Sequence, residues 1–119
     1  MTNIIAVLAR VYVSDLDAAI PLYQELTEAV DVSRFMFRDV QLARVGPFLL
    51  LAGNTAAYQD RVATILVSEL PPVITAIEDA GGQIIEGPSA APKGPRLVVR
   101  HPDGSVFEYI ETAGEEPSH

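Results

Sequence analysis

Val13-Ser14-Asp15-Leu16 recurs later in the chain as Val67-Ser68-Glu69-Leu70. Each copy joins an apolar run to a segment with helical spacing. The runs before them, Asn3 to Val13 and Arg61 to Val67, are β-branched and short, which reads as strand rather than buried helix. After the first copy, Ser14 or Asp15 caps a helix over Leu16 to Ala29. Ala19, Leu22, Tyr23 and Leu26 give that helix its apolar stripe, with Ile20 beside it, and Pro21 bends it or delays its regular start. After the second copy, Ser68-Glu69 caps a helix over Leu70 to Ala80. Pro71 and Pro72 lie in its first turn, where proline is tolerated, and Gly81-Gly82 stops it.

Each helix is followed by three strand-like runs. In the first half these are Val32 to Phe37, Asp39 to Val45 and Phe48 to Ala52, the last two joined by Gly46-Pro47. In the second half they are Gln83 to Glu86, Arg96 to Arg100 and Ser105 to Glu111, with Gly87 to Pro95 expected to stay irregular. The pattern is βαβββ twice. It predicts an α+β fold in one domain over 1–119, made of two modules at about 3–54 and 60–112. Their curled mixed sheets are expected to enclose a cavity, and 113–119 is expected to fray.

Pro102-Asp103-Gly104 closes the last hairpin: proline presets φ, aspartate bonds its own backbone, and glycine accepts positive φ. In the strand that follows, alternation puts Val106, Glu108 and Ile110 on one face and Phe107 and Tyr109 on the other. Both faces are apolar, so the strand is covered on both sides. A carboxylate in its middle then needs a cation, a metal or a wet cavity.

Composition removes several classes. The 119 residues are 49% hydrophobic and 20% charged, as in an ordinary globular domain. Net charge is −8, with 8 Lys+Arg against 16 Asp+Glu, which argues against a nucleic-acid surface. No apolar run is long enough to span a membrane, and the apolar start lacks the basic region and cleavage site of a signal peptide. Without cysteine there is no disulfide, thiol nucleophile or zinc–thiolate site. The cytoplasm is the default compartment.

The strand-to-helix opening Val11 to Tyr23, its repeat Ile65 to Leu70, and the closing His101-Pro102-Asp103-Gly104-Ser105-Val106-Phe107-Glu108 resemble the vicinal oxygen chelate superfamily. That superfamily includes glyoxalase I, extradiol dioxygenases and bleomycin-resistance proteins. The likeness spans about 4–111, with His101 and Ser105 as departures from the closing motif. It implies a homodimer. It also implies four metal-ligand positions, which fall on Leu8, near Leu50, on Val62 and on Glu108. Only Glu108 can ligate, and one carboxylate does not hold a catalytic ion. His101 lies at the hairpin turn and His119 is terminal, so neither completes a set. No metal and no cofactor is expected.

Arg10 is the only charge between Ile4 and Val13, and it shares a face with Leu8 and Tyr12. Either Arg10 and Glu108 pair or reach a common ligand, or Arg10 snorkels outward and Glu108 meets water. Tyr12, Phe48, Leu50, Val62, Thr64 and Val106 are expected on the same face, as an apolar small-molecule pocket or as plain packing. Lys93 and Arg96 border the Gly/Pro loop, where they could gate that pocket, while Phe107 and Tyr109 point to the helices. There is no G-x-S-x-G, phosphate-binding glycine loop or H-E-x-x-H. The expected function is a metal-free, cavity-type binding protein for a mostly apolar small molecule. The alternative is an enzyme (lyase, isomerase or dioxygenase) that uses Glu108 as acid or base or has an unusual metal site.

Overall fold

The computed structural model describes residues 2–112; the expected fraying of 113–119 lies outside them. The chain divides into two compact units, one over Leu8–Asp60 and one that joins Arg61 onward to the residues before Leu8. The first strand, β1 (Ile4–Tyr12), therefore contributes its start to one unit and its end to the other.

The Leu8–Asp60 unit continues through α1 (Leu16–Thr27), β2 (Ser33–Phe37), β3 (Val40–Val45) and β4 (Phe48–Gly53) to a 3-10 turn at Ala56–Tyr58. Strand order is β2-β3-β4-β1, antiparallel except for the parallel β4–β1 pair. The other unit contains β5 (Arg61–Val67), α2 (Pro71–Asp79), β6 (Gln83–Ser89), β7 (Arg96–Arg100) and β8 (Val106–Glu111). Its order is β6-β7-β8-β5, again with one parallel pair, β8–β5. The expected α+β pair of βαβββ modules is thus present, with the same topology in each half. Among the described residues no helix is long and apolar enough to cross a membrane.

Each helix covers one face of its own strands. Under α1, Leu16 and Ile20 pack with Ala43, Val45, Leu50 and Ala52. Under α2, Val73 and Ile77 pack with Ile65, Val67, Leu97, Val99 and Tyr109. The stripe of α1 is rotated from the expected one: Leu16, Ala19, Ile20 and Tyr23 meet the core, while Leu22 and Leu26 are exposed. The spacing i, i+3, i+4, i+7 is satisfied by either set, and only the packing partner decides between them.

The two helix starts are built differently. Asp15 accepts from the Asp17 N–H at 3.0 Å, a side-chain cap. Its counterpart Glu69 does not cap α2; the cap position is Leu70, with prolines next in the chain. Prolines have no N–H to satisfy there, and the Leu70 N–H goes instead to Glu111 Oε2 at 2.9 Å. The Asn3 side chain holds the same corner, donating to the Glu69 carbonyl at 2.8 Å and accepting its N–H at 2.9 Å.

β6 runs on to Ser89, past the expected end at Glu86. Its register against β7 shifts twice, between Ile84 and Glu86 and between Glu86 and Ser89. Such bulges, on the outermost strand of a unit, admit Gly87 and Pro88 without breaking a ladder on both sides.

Candidate functional site

Glu108 lies on β8 with Thr64 of β5 and Val98 of β7 as its register neighbours. Phe107 and Tyr109 turn to the α2 core, so Glu108 shares the opposite face with Val106 and Ile110. That face is buried as well, and Glu108 is only 9% exposed. Both of its carboxylate oxygens are engaged. The Thr64 hydroxyl donates to Oε1 at 2.8 Å and Arg96 Nε donates to Oε2 at 2.9 Å.

Arg96 reaches Glu108 on the diagonal. On β7 it stands opposite Ile110, two pairs beyond Val98–Glu108 and on the same face, and long side chains span that separation. Its Nη1 donates to Glu86 Oε2 on β6 at 3.0 Å. One guanidinium therefore bridges carboxylates from two strands, and it is itself only 2% exposed. Gly87 allows the close approach on this side. At φ +89° a Cβ would lie 2.5 Å from the Arg96 carbonyl oxygen, so a larger residue would push β6 off β7 beside Glu86.

The remaining expected pocket residues are divided between the two units. In the Leu8–Asp60 unit Arg10 Nε donates to the Tyr12 hydroxyl at 2.9 Å, and that hydroxyl donates to the Tyr58 carbonyl at 2.8 Å. Arg10 Nη2 reaches the same carbonyl at 3.2 Å, so Arg10 and Tyr12 jointly hold the turn at Ala56–Tyr58. Arg38 stacks over Phe37 at 4.6 Å and donates to the Tyr58 hydroxyl at 3.3 Å.

Phe48 and Leu50 require a correction. Alternation places them on the face of Arg10 and Tyr12, but they pack under α1. The parallel register sets Arg10 opposite Leu49 and Tyr12 opposite Leu51, so the parity of β4 is the reverse of the expected one. In the other unit Thr64 and Val106 are buried as expected, whereas Val62 is 57% exposed. The β5–β8 register slips between Arg61 and Thr64, which takes Val62 out of the alternation that Thr64 obeys.

Arg96 is a partner of Glu108, and Glu86 a partner of Arg96, that the sequence reading misses, although the hairpin contains the signal for Arg96. Its turn is closed by the His101 N–H to the Ser105 carbonyl at 2.7 Å. Counting back from that closure pairs Arg100 with Val106, Val98 with Glu108 and Arg96 with Ile110. Arg96 is therefore on the face of Glu108. At the turn, the Ser105 N–H donates to Asp103 and holds its carboxyl below the ordinary 3.8. His101 stacks on Phe107 at 4.2 Å, with Nε2 2.9 Å from the Tyr109 hydroxyl. Burial pushes the Tyr109 phenol above its ordinary 10.0.

A divalent ion does not fit these residues. At the other implied ligand positions stand Leu8, Leu50 and Val62, none with a lone pair to offer. No three His, Cys, Asp or Glu side chains among the described residues are grouped to hold a metal. An ion on Glu108 Oε2 would also sit against the Arg96 guanidinium, at a depth where water screens little.

No family model matches the chain, and no curated protein matches it. Solved structures do. An uncharacterised protein from Methanosarcina mazei is 38% identical, with 99% of this chain and 100% of that one covered and a TM-score of 0.89. Methylmalonyl-CoA epimerase from Mycobacterium tuberculosis is 18% identical over 92% of this chain and 87% of its own, with a TM-score of 0.63. A Streptomyces coelicolor methylmalonyl-CoA epimerase in complex with 2-nitronate-propionyl-CoA is also 18% identical, over 98% and 99%, with a TM-score of 0.63. The epimerases, at that identity, establish the fold alone, and it is the vicinal oxygen chelate fold. With more than a third of its residues identical over nearly the whole of both chains, this protein belongs to one family with the Methanosarcina mazei protein, a family built on that fold.

Proposed function

We propose that this protein binds a mostly apolar small molecule without a metal, in the manner of the glyoxalase and bleomycin-resistance type, on the β5–β8–β7 face around Glu108. The observation that supports this most is the engagement of both Glu108 oxygens by Thr64 and Arg96. A carboxylate accepting on both oxygens is a fixed acceptor in an apolar wall, the sparse polar feature that orients a ligand in a hydrophobic site. Both of its oxygens already face donors of the chain itself. Around it Thr64, Leu66, Val98, Val106 and Ile110 supply an otherwise apolar face. Homodimerisation belongs to the same proposal.

Two measurements test it. Elemental analysis of the purified protein is expected to find metal well below one equivalent per chain. Fluorescence titration with the neutral probe phenylnaphthylamine, and calorimetry with bleomycin, are expected to show saturable binding of at least one of them. Glu108→Gln is expected to weaken that binding about tenfold. Stoichiometric zinc, nickel, manganese or iron, with an activity lost on chelation, overturns the reading in favour of an enzyme. Binding that Glu108→Gln leaves untouched removes Glu108 from the site.

A further inference from the structure

Arg96 and Glu108 are the only charged residues that are buried among the described ones, and Arg96 lies the deeper of the two. The guanidinium bonds two carboxylates, Glu108 and Glu86, and the Thr64 hydroxyl bonds the other oxygen of Glu108. Hard oxygen donors of this kind are what Mn²⁺ and Mg²⁺ take, with water in the remaining positions. Here the cation among them is part of the chain.

Building on the metal-free reading above, we propose that Arg96 is a built-in cation in the place of a divalent ion. It organises Glu86, Glu108 and Thr64, and it bars metal from them. An arginine suits this role better than a lysine, because its planar fork presents Nε to one carboxylate and Nη1 to another at fixed spacing.

The backbone is arranged to permit the bridge. Gly87 brings β6 against the Arg96 carbonyl, which places Glu86 within reach. Gly94, at φ +132°, lets the chain pass the Glu111 carbonyl just before Arg96 where a Cβ would collide. A guanidinium donates hydrogen bonds and accepts no electron pair. A ligand at this face therefore meets a fixed array of acceptors and donors and no Lewis acid.

The test is Mn²⁺ binding to the full chain, followed by electron paramagnetic resonance and calorimetry. Wild type is expected to show no saturable site. Arg96→Ala is expected to gain one, about tenfold or more tighter than any residual wild-type binding. The double variant Arg96→Ala/Glu108→Gln is expected to lose it again, and Arg96→Lys, which keeps the charge, is expected not to gain it. If Arg96→Ala is recovered unfolded, refolding with Mn²⁺ present is the readout. Recovery of the folded circular dichroism spectrum supports the proposal, since a ligand that binds only the native state stabilises it, and no recovery overturns it. A folded Arg96→Ala that takes up no more Mn²⁺ than wild type also overturns it. Stoichiometric Mn²⁺ on wild type instead sinks the metal-free reading on which the proposal rests, so the two failures are distinct.

Discussion

The two units run through the same strand order, yet they differ in what fills its middle. Setting Val13 on Val67 carries Arg10 onto Thr64 and, through the parallel registers, Leu49 onto Glu108. The antiparallel registers then carry Leu42 onto Arg96. Leu42 and Leu49 are both buried, as are Arg96 and Glu108. One copy of the module closes over two leucines at the positions where the other closes over an ion pair. Desolvating such a pair is expensive, and apolar replacements of similar volume are often neutral or better. The first unit shows that this architecture accepts those replacements. The first unit therefore gives no stability reason for an ion pair at Arg96 and Glu108, and the proposed ligand site supplies one of function.

The sharpest way to break this comparison is to remove half of the pair. Arg96→Met leaves a buried carboxylate without its partner and is expected to destabilise by about 3–5 kcal/mol, read from urea unfolding. The double variant Arg96→Leu/Glu108→Leu copies the first unit into the second. It is expected to recover to within about 1 kcal/mol of wild type or to exceed it, while losing ligand binding. A double variant as unstable as the single one would make the pair a structural requirement of the second unit after all.

The helix N-termini offer a smaller contrast. Asp15→Ala removes a real cap and is expected to destabilise by about 1 kcal/mol. Glu69→Ala, at the matching position, removes no cap and is expected to change stability by under about 0.5 kcal/mol. Equal losses at both sites would mean that the two helix starts are more alike than their hydrogen bonds show.

The smallest effect is in alkaline solution and belongs to the second unit, where Tyr109 occupies the place of Leu50. Its phenol ionises less readily in the fold than in the unfolded chain. The associated stability is intact below the ordinary value of 10.0 and is lost as pH rises through the raised folded value. The urea midpoint of wild type is expected to fall above pH 10. In Tyr109→Phe that part of the slope is expected to vanish, with about 1 kcal/mol lost at neutral pH along with the His101 contact.

Much of the architecture was legible because it rests on local chemistry. The repeated Val-Ser-Asp/Glu-Leu, the proline and glycine punctuation and the alternation along each run fixed element order, and β5 and β7 fall where the letters place them. The site was legible only in part. Glu108 stood out because a lone acid in a two-sided apolar strand demands a partner. Arg96 did not, because it adjoins a loop and looked like a gate. Phe48 and Leu50 were assigned to the wrong face, since a run apolar at every position, Phe48-Leu49-Leu50-Leu51, has no alternation to read.

Residue types and their spacing by themselves determined a duplicated α+β module, an acidic chain without thiols, and a buried acid that needs a partner. The folded hairpin, with its register and the reach of Arg96, decided which cation answers that acid. Strand register and side-chain reach are set by pairings between segments far apart in sequence. A slip of one residue, like the one between Arg61 and Thr64, sends a side chain to the other face without leaving any trace in the local pattern.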